Sequence, residues 1–269
     1  MDSVYLRKNN MDFLELNKFS ELHNGRDIFF CKTDFLLSDL KDIGGLNNDV
    51  ILISGNSDYP ITDEYLKILP NNVIRWFGQN ILSNHEIFEP IPLGIENKID
   101  SFRPGHGISY YERVNEKENL LGRNSNLIPT KKIYANFKVD TNYNHRIVVR
   151  DICKKSNHID WEEPNLTLNE FFDKILDYEM VVCPIGNGLD THRLWEVLYS
   201  NRIPITVKVG NFKIYEMYEK FPIILLDNIN ELGDENILSV KYQKIKEKKF
   251  DRTLLDFDFW KNKILNIDK

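Results

Sequence analysis

The sequence predicts an α/β fold made of two successive halves, each built on a mostly parallel sheet. Short, continuous apolar runs alternate with helical patterns along most of the 269 residues. Residues 98–130, rich in glycine, proline and polar side chains, interrupt that alternation. Continuous apolar runs of strand length are typical of parallel strands that are covered on both faces. The interruption therefore indicates a linker between two α/β halves.

The first half has predicted strands separated by predicted helices. The apolar runs place strands at 27–33, 50–54, 73–77 and 88–95. Helical patterns fall at 34–43, which ends at a Gly-Gly pair, and at 62–69, which Pro70 stops. A further helix is expected inside the linker at 109–121.

The second half repeats the same alternation. Strands are predicted at 132–137, 158–162, 180–183, 203–207 and 223–226, and helices at 144–154, at 167–176 and directly after Gly188. Residues 231–267 have helical patterns, and the lysine-rich stretch at 241–249 is interpreted as a solvated helix face. The predicted domains are thus 1–125, 126–235 and a C-terminal helical segment, 236–269, that packs at the domain junction.

Composition excludes several functional classes. The formal net charge of −6 argues against a general nucleic-acid binder, which needs a basic surface. No apolar run approaches the roughly 20 residues that span a bilayer, and the N-terminus lacks a secretory apolar region. The three cysteines have no metal-ligand spacing and are expected to be buried thiols. We therefore expect a soluble, cytoplasmic protein without an integral membrane segment.

The segment at 183–206, CPIGNGLDTHRLWEVLYSNRIPIT, follows one predicted strand and ends in the next. A strand, a glycine loop and a helix in this order point a helix N-terminus at an anion. Gly186 and Gly188 allow positive φ and a close approach of the backbone to a ligand. Arg193 and Glu196 lie three apart and share a helix face. The alternative interpretation is an ordinary crossover with a surface ion pair.

This segment resembles the donor site of exostosin-like glycosyltransferases, in which a CPRG-type turn precedes an R-x-x-E helix. The resemblance extends over residues 49–228, and Ile185 replaces the usual arginine of the turn. It implies the GT-B architecture, two Rossmann-like domains facing each other across a cleft, with C-terminal helices crossing back. It also implies that Gly186, Asn187, Gly188, Arg193 and Glu196 hold a UDP-sugar.

Two more donor residues follow from the same resemblance. Asn136 and Arg146 resemble the family pattern N-F-x-x-x-T/N followed by arginine, in a loop that approaches the nucleotide diphosphate. The guanidinium of Arg146 has the fork of donors that suits phosphate. An exposed arginine in the first turn of a helix is the alternative interpretation. The segment Trp161–Glu163 ends the next strand, where uracil is expected to stack or hydrogen-bond.

An inverting transfer needs a base that takes the proton from the acceptor hydroxyl. Asp58 is the first candidate because it follows the apolar strand at 50–54, and ligands bind at such strand ends. The same Asn-Ser-Asp-Tyr-Pro stretch is equally typical of a structural turn. His85 and Glu96, in the same half, are the alternative bases.

One Asp-x-Asp string, Asp256 to Asp258, matches the motif with which another glycosyltransferase architecture, GT-A, holds a metal. Aromatic residues flank it after the α/β alternation has ended, which favours a packed helix. We therefore expect no metal site and no cofactor other than the UDP-sugar donor.

The resemblance thus implies an inverting glycosyltransferase that moves a sugar from a UDP-sugar to a glycan hydroxyl. The family resemblance leaves xylose, galactose, glucuronic acid and N-acetylglucosamine open as the sugar. The alternatives are a non-catalytic nucleotide- or glycan-binding α/β protein and a metal-dependent GT-A-type enzyme. A Rossmann oxidoreductase is disfavoured because no strand precedes a full G-x-G-x-x-G.

Overall fold

A computed structural model describes residues 12–97, 111–122 and 127–267. The chain forms two compact units. Within the described ranges, the N-terminal unit comprises residues 12–97, 211–217 and 252–267, and the central unit comprises residues 111–122, 127–210 and 218–251.

The strands and α-helices of the described residues are numbered along the chain. The strands are β1 (Ile28–Lys32), β2 (Val50–Gly55), β3 (Ile61–Thr62), β4 (Val73–Gly78), β5 (Ile81–Leu82), β6 (Phe88–Pro90), β7 (Lys131–Ala135), β8 (Asp160–Trp161), β9 (Tyr178–Val182), β10 (Ile203–Val207) and β11 (Ile224–Leu226). The helices are α1 (Leu16–Ser20), α2 (Leu36–Ile43), α3 (Tyr111–Gly122), α4 (Tyr143–Lys155), α5 (Leu168–Asp177), α6 (His192–Tyr199), α7 (Ile214–Tyr218), α8 (Glu235–Glu247) and α9 (Phe257–Leu265).

The N-terminal unit is built on a parallel sheet with strand order β1-β2-β4-β6. Every residue of β2 is buried, as its unbroken apolar sequence predicts. The core around it is formed by α2 and the strands, with Leu36, Leu40, Trp76 and Phe88 at most 2% exposed. Helix α1, which the sequence did not reveal, packs so closely on Gly55 that a Cβ there would lie 2.6 Å from Leu16 Cδ2.

Two predicted elements of this unit are shorter than the sequence suggested. The predicted helix at 62–69 is a 3₁₀ helix over Asp63–Lys67, flanked by the short parallel pair β3 and β5. The predicted strand at 88–95 ends as β6 at Pro90. Pro90 and Pro92 have no backbone N–H to donate, so the ladder cannot continue along this segment.

The central unit is built on a parallel sheet with strand order β11-β10-β9-β7-β8. Its core contains Ile133, Val149, Val182 and Ile205, each at most 4% exposed, and helices connect the strands. Helix α5 begins with a capping box, in which Thr167 Oγ1 accepts from the N–H of Glu170 while the Glu170 carboxylate accepts from the N–H of Thr167.

The predicted α/β class with parallel sheets is confirmed, and it is compatible with a Rossmann-like arrangement of strands and helices. The predicted helix in the linker is α3, and the start of that prediction, residues 109–110, lies outside the described residues. The lysine-rich stretch lies on α8 and just beyond it, with Lys244, Lys246, Lys248 and Lys249 exposed. The three cysteines are buried and free, as expected. Across the described ranges, no helix is long and apolar enough to cross a bilayer.

Candidate functional site

The candidate donor residues gather at the carboxyl-terminal edge of the five-stranded sheet. Because all of its strands run parallel, their carboxyl ends lie at one edge, where ligands bind in open α/β sheets. Asn136 directly follows β7, Glu162 follows β8, and Cys183 follows β9. The glycine loop, residues 183–190, then leads from β9 into α6.

Gly186 adopts an ordinary backbone conformation, and a Cβ at this position would fit in van der Waals contact with its neighbours. A Cβ at Gly186 would lie 3.4 Å from both Arg146 Nη2 and Thr191 Cγ2. Its N–H donates to the carbonyl of Gly188 at 3.0 Å, which closes the turn. In the described chain, the glycines with positive φ are Gly25, Gly94 and Gly210. Gly186 and Gly188 therefore do not adopt the positive φ that glycine allows.

Helix α4 holds the glycine loop through its first turns. Arg146 donates from Nε to the carbonyl of Ile185 at 2.8 Å and from Nη2 to that of Pro184 at 3.4 Å. Its Nη1 donates to the carbonyl of Lys138 at 2.8 Å. Asn142, the N-cap of α4, donates from Nδ2 to the carbonyl of Gly186 at 2.8 Å. Arg146 is thus a brace that joins two loops.

Burial and a neighbouring cation act on Arg146. Burial lowers the pKa of its guanidinium to about 10, and the charge of Arg193 adds to that effect. Such a group remains protonated at neutral pH. Its cation lies beneath the glycine loop with the three donor nitrogens directed at backbone carbonyls.

Arg193, the second residue of α6, occupies a different position. Its Nη1 donates to the carbonyl of Asn136 at 2.7 Å, and its Nε lies 3.3 Å from Glu196 Oε2. Its guanidinium carbon is 3.6 Å from the ring centroid of Phe171, so the planar group stacks on the aromatic face. No described residue accepts a hydrogen bond from Nη2. With a side chain 29% exposed, Arg193 keeps donor capacity for a ligand.

Glu196 is a buried carboxylate rather than an exposed one. It is 5% exposed, and its Oε1 accepts from Lys117 Nζ at 2.7 Å. Burial alone would raise its pKa, but the charges of Lys117 and Arg193 outweigh burial and hold the pKa at about 2. Glu196 is therefore ionised at neutral pH, and its pair with Lys117 links α3 to α6.

Lys117 is a residue of this site that the sequence analysis missed. It lies on α3, in the segment assigned to the linker, 79 positions from Glu196. Its helix face also carries Val114, Leu120 and Leu121, each at most 4% exposed, and Lys117 itself is 4% exposed. A lysine within an apolar stripe at helical spacing was the available signal, because a buried ammonium needs a charged partner.

The side chain of Asn136 ties neighbouring strand ends together. It is 4% exposed, and its Nδ2 donates to the carbonyls of Glu162 and Glu163 at 3.3 and 3.1 Å. The backbone carbonyl of Asn136 accepts from Arg193.

Tyr134 donates from its hydroxyl to Glu162 Oε2 at 2.8 Å, and burial and that carboxylate raise the pKa of the Tyr134 phenol. Trp161, the predicted uracil contact, is half-buried, and its Nε1 donates to Glu163 Oε1 at 3.0 Å.

Asp190 anchors the far end of the glycine loop. This carboxylate is 4% exposed and accepts at Oδ1 from Trp195 Nε1, from the hydroxyl of Tyr218 and from the N–H of Thr191, at 2.7, 2.8 and 2.9 Å. Asp190 is not among the site residues that the sequence predicts. Asn187, at the tip of the loop, is exposed.

The three candidate bases belong to the N-terminal unit. Asp58 is exposed and lies three residues beyond β2, Glu96 is half-buried beyond β6, and His85 is exposed beyond β5. His85 Nδ1 accepts from the N–H of Ile87 at 3.3 Å, so that nitrogen is engaged within its own loop.

The hollows of the N-terminal unit do not single out Asp58. His85 and Asp63 line an open hollow of about 370 Å³. A larger open hollow, of about 820 Å³, lies between the end of α2 and residues 68–72. It is at the amino-terminal edge of the four-stranded sheet, away from the strand end that carries Asp58.

The Asp-x-Asp string has a structural role. Asp256 is the N-cap of α9 and accepts from the N–H of Asp258 at 3.1 Å. Phe257 and Trp260 of that helix are buried. Within the described ranges, no group of three or more histidine, cysteine, aspartate or glutamate side chains is placed to hold a metal ion.

Comparisons with known proteins add no relative to this description. No model of a known protein family matches the sequence, and no curated protein matches it.

Proposed function

We propose that this chain is an inverting glycosyltransferase that takes a sugar from a UDP-sugar and transfers it to a glycan hydroxyl. One observation carries the proposal. Arg193 and Glu196 project from the first turns of α6, directly after a glycine loop at the carboxyl edge of a parallel sheet. This is the order of features in the donor segment of exostosin-like enzymes, which the motif resembles.

In the proposed complex, Arg193 contacts the diphosphate of the donor. No described residue accepts from its Nη2, its guanidinium lies on the ring of Phe171, and a guanidinium binds phosphate oxygens through parallel N–H bonds. The amides at the start of α6 add partial positive charge. As the sugar–phosphate bond breaks, negative charge builds on the leaving UDP, and these groups stabilise it.

In the proposed complex, Arg146 contacts the loops around the donor rather than the donor itself. Its donors hold the carbonyls of residues 138, 184 and 185, so it fixes the shape of the loop around the phosphates. The positive charge of Arg193 lies close enough to Arg146 to lower the pKa of the Arg146 guanidinium. We therefore assign Arg146 as a positioning residue that also contributes to the positive potential.

Glu196 accepts from the ribose hydroxyls of the nucleotide in this account. Its two oxygens already face Lys117 and Arg193, and a carboxylate has about four acceptor sites, so capacity remains. The two cations keep Glu196 ionised and fixed in one orientation. A pre-oriented acceptor loses little entropy when the ribose binds.

The proposed reaction is a single displacement. The acceptor oxygen forms a bond to the anomeric carbon while the bond from that carbon to the UDP oxygen breaks, and its electron pair leaves with UDP. The acceptor proton passes to Asp58, which is our first candidate for the base. This assignment needs the GT-B arrangement, in which the two units face each other, and a soluble enzyme acting without metal. We place this chemistry in the cytoplasm.

A non-catalytic nucleotide-binding protein is the second candidate. The bonds of Arg146 and the Lys117–Glu196 pair are internal to the central unit, and they would hold the glycine loop equally well without a reaction.

Release of UDP separates these candidates. The purified protein is incubated with UDP-xylose, UDP-galactose, UDP-glucuronic acid or UDP-N-acetylglucosamine, with and without a panel of glycan acceptors. An enzyme releases UDP from one donor in an acceptor-dependent manner. UDP binding without acceptor-dependent release would support the non-catalytic candidate, and no UDP binding at all would contradict both.

A further inference from the structure

Three asparagines of the N-terminal unit form a hydrogen-bonded cluster at the carboxyl edge of the four-stranded sheet. Asn17 lies on α1, Asn56 follows β2, and Asn97 follows β6. Asn56 Nδ2 donates to Asn17 Oδ1 at 2.6 Å, and Asn97 Nδ2 donates to Asn56 Oδ1 at 2.9 Å. Asn97 Oδ1 accepts from the N–H of Asn17 at 2.8 Å. We refer to these residues as the asparagine cluster.

The asparagine cluster retains unused hydrogen-bonding capacity. Each side-chain amide carries two N–H donors and an oxygen with two lone pairs. No described residue accepts from Asn17 Nδ2, and Asn56 and Asn97 each donate one of their two side-chain hydrogens. All three side chains are half-buried, so part of each faces away from the protein interior.

A fourth asparagine, Asn80, contacts the loop that carries Asn56 and has an unpaired side-chain oxygen. Asn80 is 3% exposed, and its Nδ2 donates to the carbonyl of Ser57, next to Asn56, at 3.4 Å. Its Oδ1 has no donor within the described part of the chain. Buried polar atoms are almost always paired, so this amide oxygen has unused acceptor capacity next to the asparagine cluster.

Gln79 extends the same environment, because its Oε1 accepts from the N–H of Asn56 at 3.1 Å. The side chains of Asn17, Asn56, Gln79, Asn80 and Asn97 are all neutral. Phosphate is bound most strongly by cations, and hard metal ions are held mainly by carboxylates. Sugar hydroxyls both donate and accept, as amides do, and need no charge.

We infer that the asparagine cluster binds a neutral saccharide. The inference deepens the proposed function and rests on it only for the saccharide's role, which would be that of the acceptor. The exposed carboxylate of Asp58 lies two residues beyond Asn56, on the same loop. Binding of the saccharide itself requires no nucleotide and no reaction.

The test compares two Asn-to-Gly variants whose asparagines have the same backbone conformation. Asn56 has φ of 56° and Asn201, in the central unit, has φ of 55°. Glycine adopts such angles without strain, so Asn56→Gly removes the amide while the backbone is kept. Asn201→Gly is the same change outside the cluster.

Saturation-transfer NMR measures binding of maltose, cellobiose, lactose, mannobiose and chitobiose to the full chain and both variants. We expect at least one disaccharide to bind the parent chain and Asn201→Gly, and its affinity for Asn56→Gly to fall about tenfold or more. If Asn56→Gly does not fold, Asn17→Ala provides the same comparison, because it removes one amide from a half-buried position on α1.

Two results would overturn the inference: none of the five disaccharides binds the parent chain, or the one that binds does so equally well to the cluster variants. UDP binding is measured on the same samples. If the protein binds UDP but none of the disaccharides, the inference about the asparagine cluster is contradicted and the proposed donor site is not. Saccharide binding that depends on Asn56, without any UDP binding, supports it and removes the proposed donor site.

Discussion

Lys117 and Glu196 form a buried ion pair, with 2.7 Å between Nζ and Oε1 and side chains 5% and 7% exposed. Arg193 approaches the second oxygen of the same carboxylate. A buried charge without a partner is strongly destabilising, so this pair ties α3 and α6 to one arrangement. Because α6 also follows the glycine loop, the ion pair fixes the helix on which the proposed donor site depends.

The stability of the central unit should depend on pH through Glu196. The pKa of this carboxylate is about 2 in the folded protein against an ordinary value of 4.5, a difference of about 3 kcal/mol of stability. Because the folded pKa is depressed, this stability is fully present above about pH 4.5 and is lost as pH falls through about 2. Glu196→Gln should therefore be less stable at pH 7, and the deficit should shrink towards pH 3. Urea unfolding at both pH values measures it.

Glu64→Gln is the control for that experiment. Glu64 pairs with Lys67, but the two side chains are 75% and 69% exposed. Exposed pairs contribute about 1 kcal/mol or less, so this variant should unfold like the parent at either pH. A Glu196→Gln protein as stable as the parent at pH 7 would contradict the buried ion pair.

Arg146→Lys should disturb the glycine loop without removing its charge. Lysine lacks the planar fork, so it cannot reach the carbonyls of residues 138 and 185 together. We expect a loss of about 1–3 kcal/mol in stability and weaker UDP binding. Arg150→Lys, on the same helix but paired at the surface with Asp151, should change neither quantity. Calorimetric unfolding and UDP titration should show that Arg146→Lys is less stable and binds UDP more weakly than Arg150→Lys. Equal stability and equal UDP affinity of the two variants would contradict the role of Arg146 as a brace.

The relation between sequence and site differs from residue to residue. Arg193 and Glu196 lie three apart on one helix, so their contact follows from helix geometry alone. The gathering of Asn136 and the glycine loop at one sheet edge follows equally from parallel strands. Lys117 reaches Glu196 across 79 positions, and no local pattern encodes that distance.

The N-terminal unit shows the same limit. Its continuous apolar strands were predictable, whereas α1 has only five residues, too few for a helical period to be visible. The asparagine cluster joins residues 17, 56 and 97, which approach one another only because α1 packs on the end of β2. Such contacts depend on tertiary packing and not on local sequence.

Removal of metal should leave the proposed reaction intact. The account assigns charge stabilisation to Arg193, to the amides of α6 and to the potential of Arg146. UDP release should therefore persist in EDTA at a rate within a few-fold of the untreated rate. Complete loss in EDTA with recovery on adding Mn²⁺ would contradict this assignment and make a metal-dependent mechanism the better account.

Asp58→Asn should lower turnover while donor binding is kept. The change preserves the size of the side chain but removes the proton acceptor, and positioned bases contribute about 10²–10⁴-fold. UDP affinity should stay near that of the parent, since Asp58 is in the N-terminal unit. The neighbouring exposed residue Tyr59 offers a control, because Tyr59→Phe should retain turnover. Turnover of Asp58→Asn within a few-fold of the parent would move the role to Glu96 or His85.

The donor site itself is tested most directly by calorimetric titration of UDP into the parent chain and Arg193→Ala, both in EDTA. Arg193 offers the open guanidinium donor of the site, and a charged hydrogen bond contributes about 1.5–3 kcal/mol. The account predicts that UDP binds the parent and that Arg193→Ala binds it at least about tenfold more weakly. Lys155→Ala, which removes an exposed cation at the end of α4, should bind like the parent. A parent chain that does not bind UDP, or an Arg193→Ala variant that binds it equally well, would contradict the account.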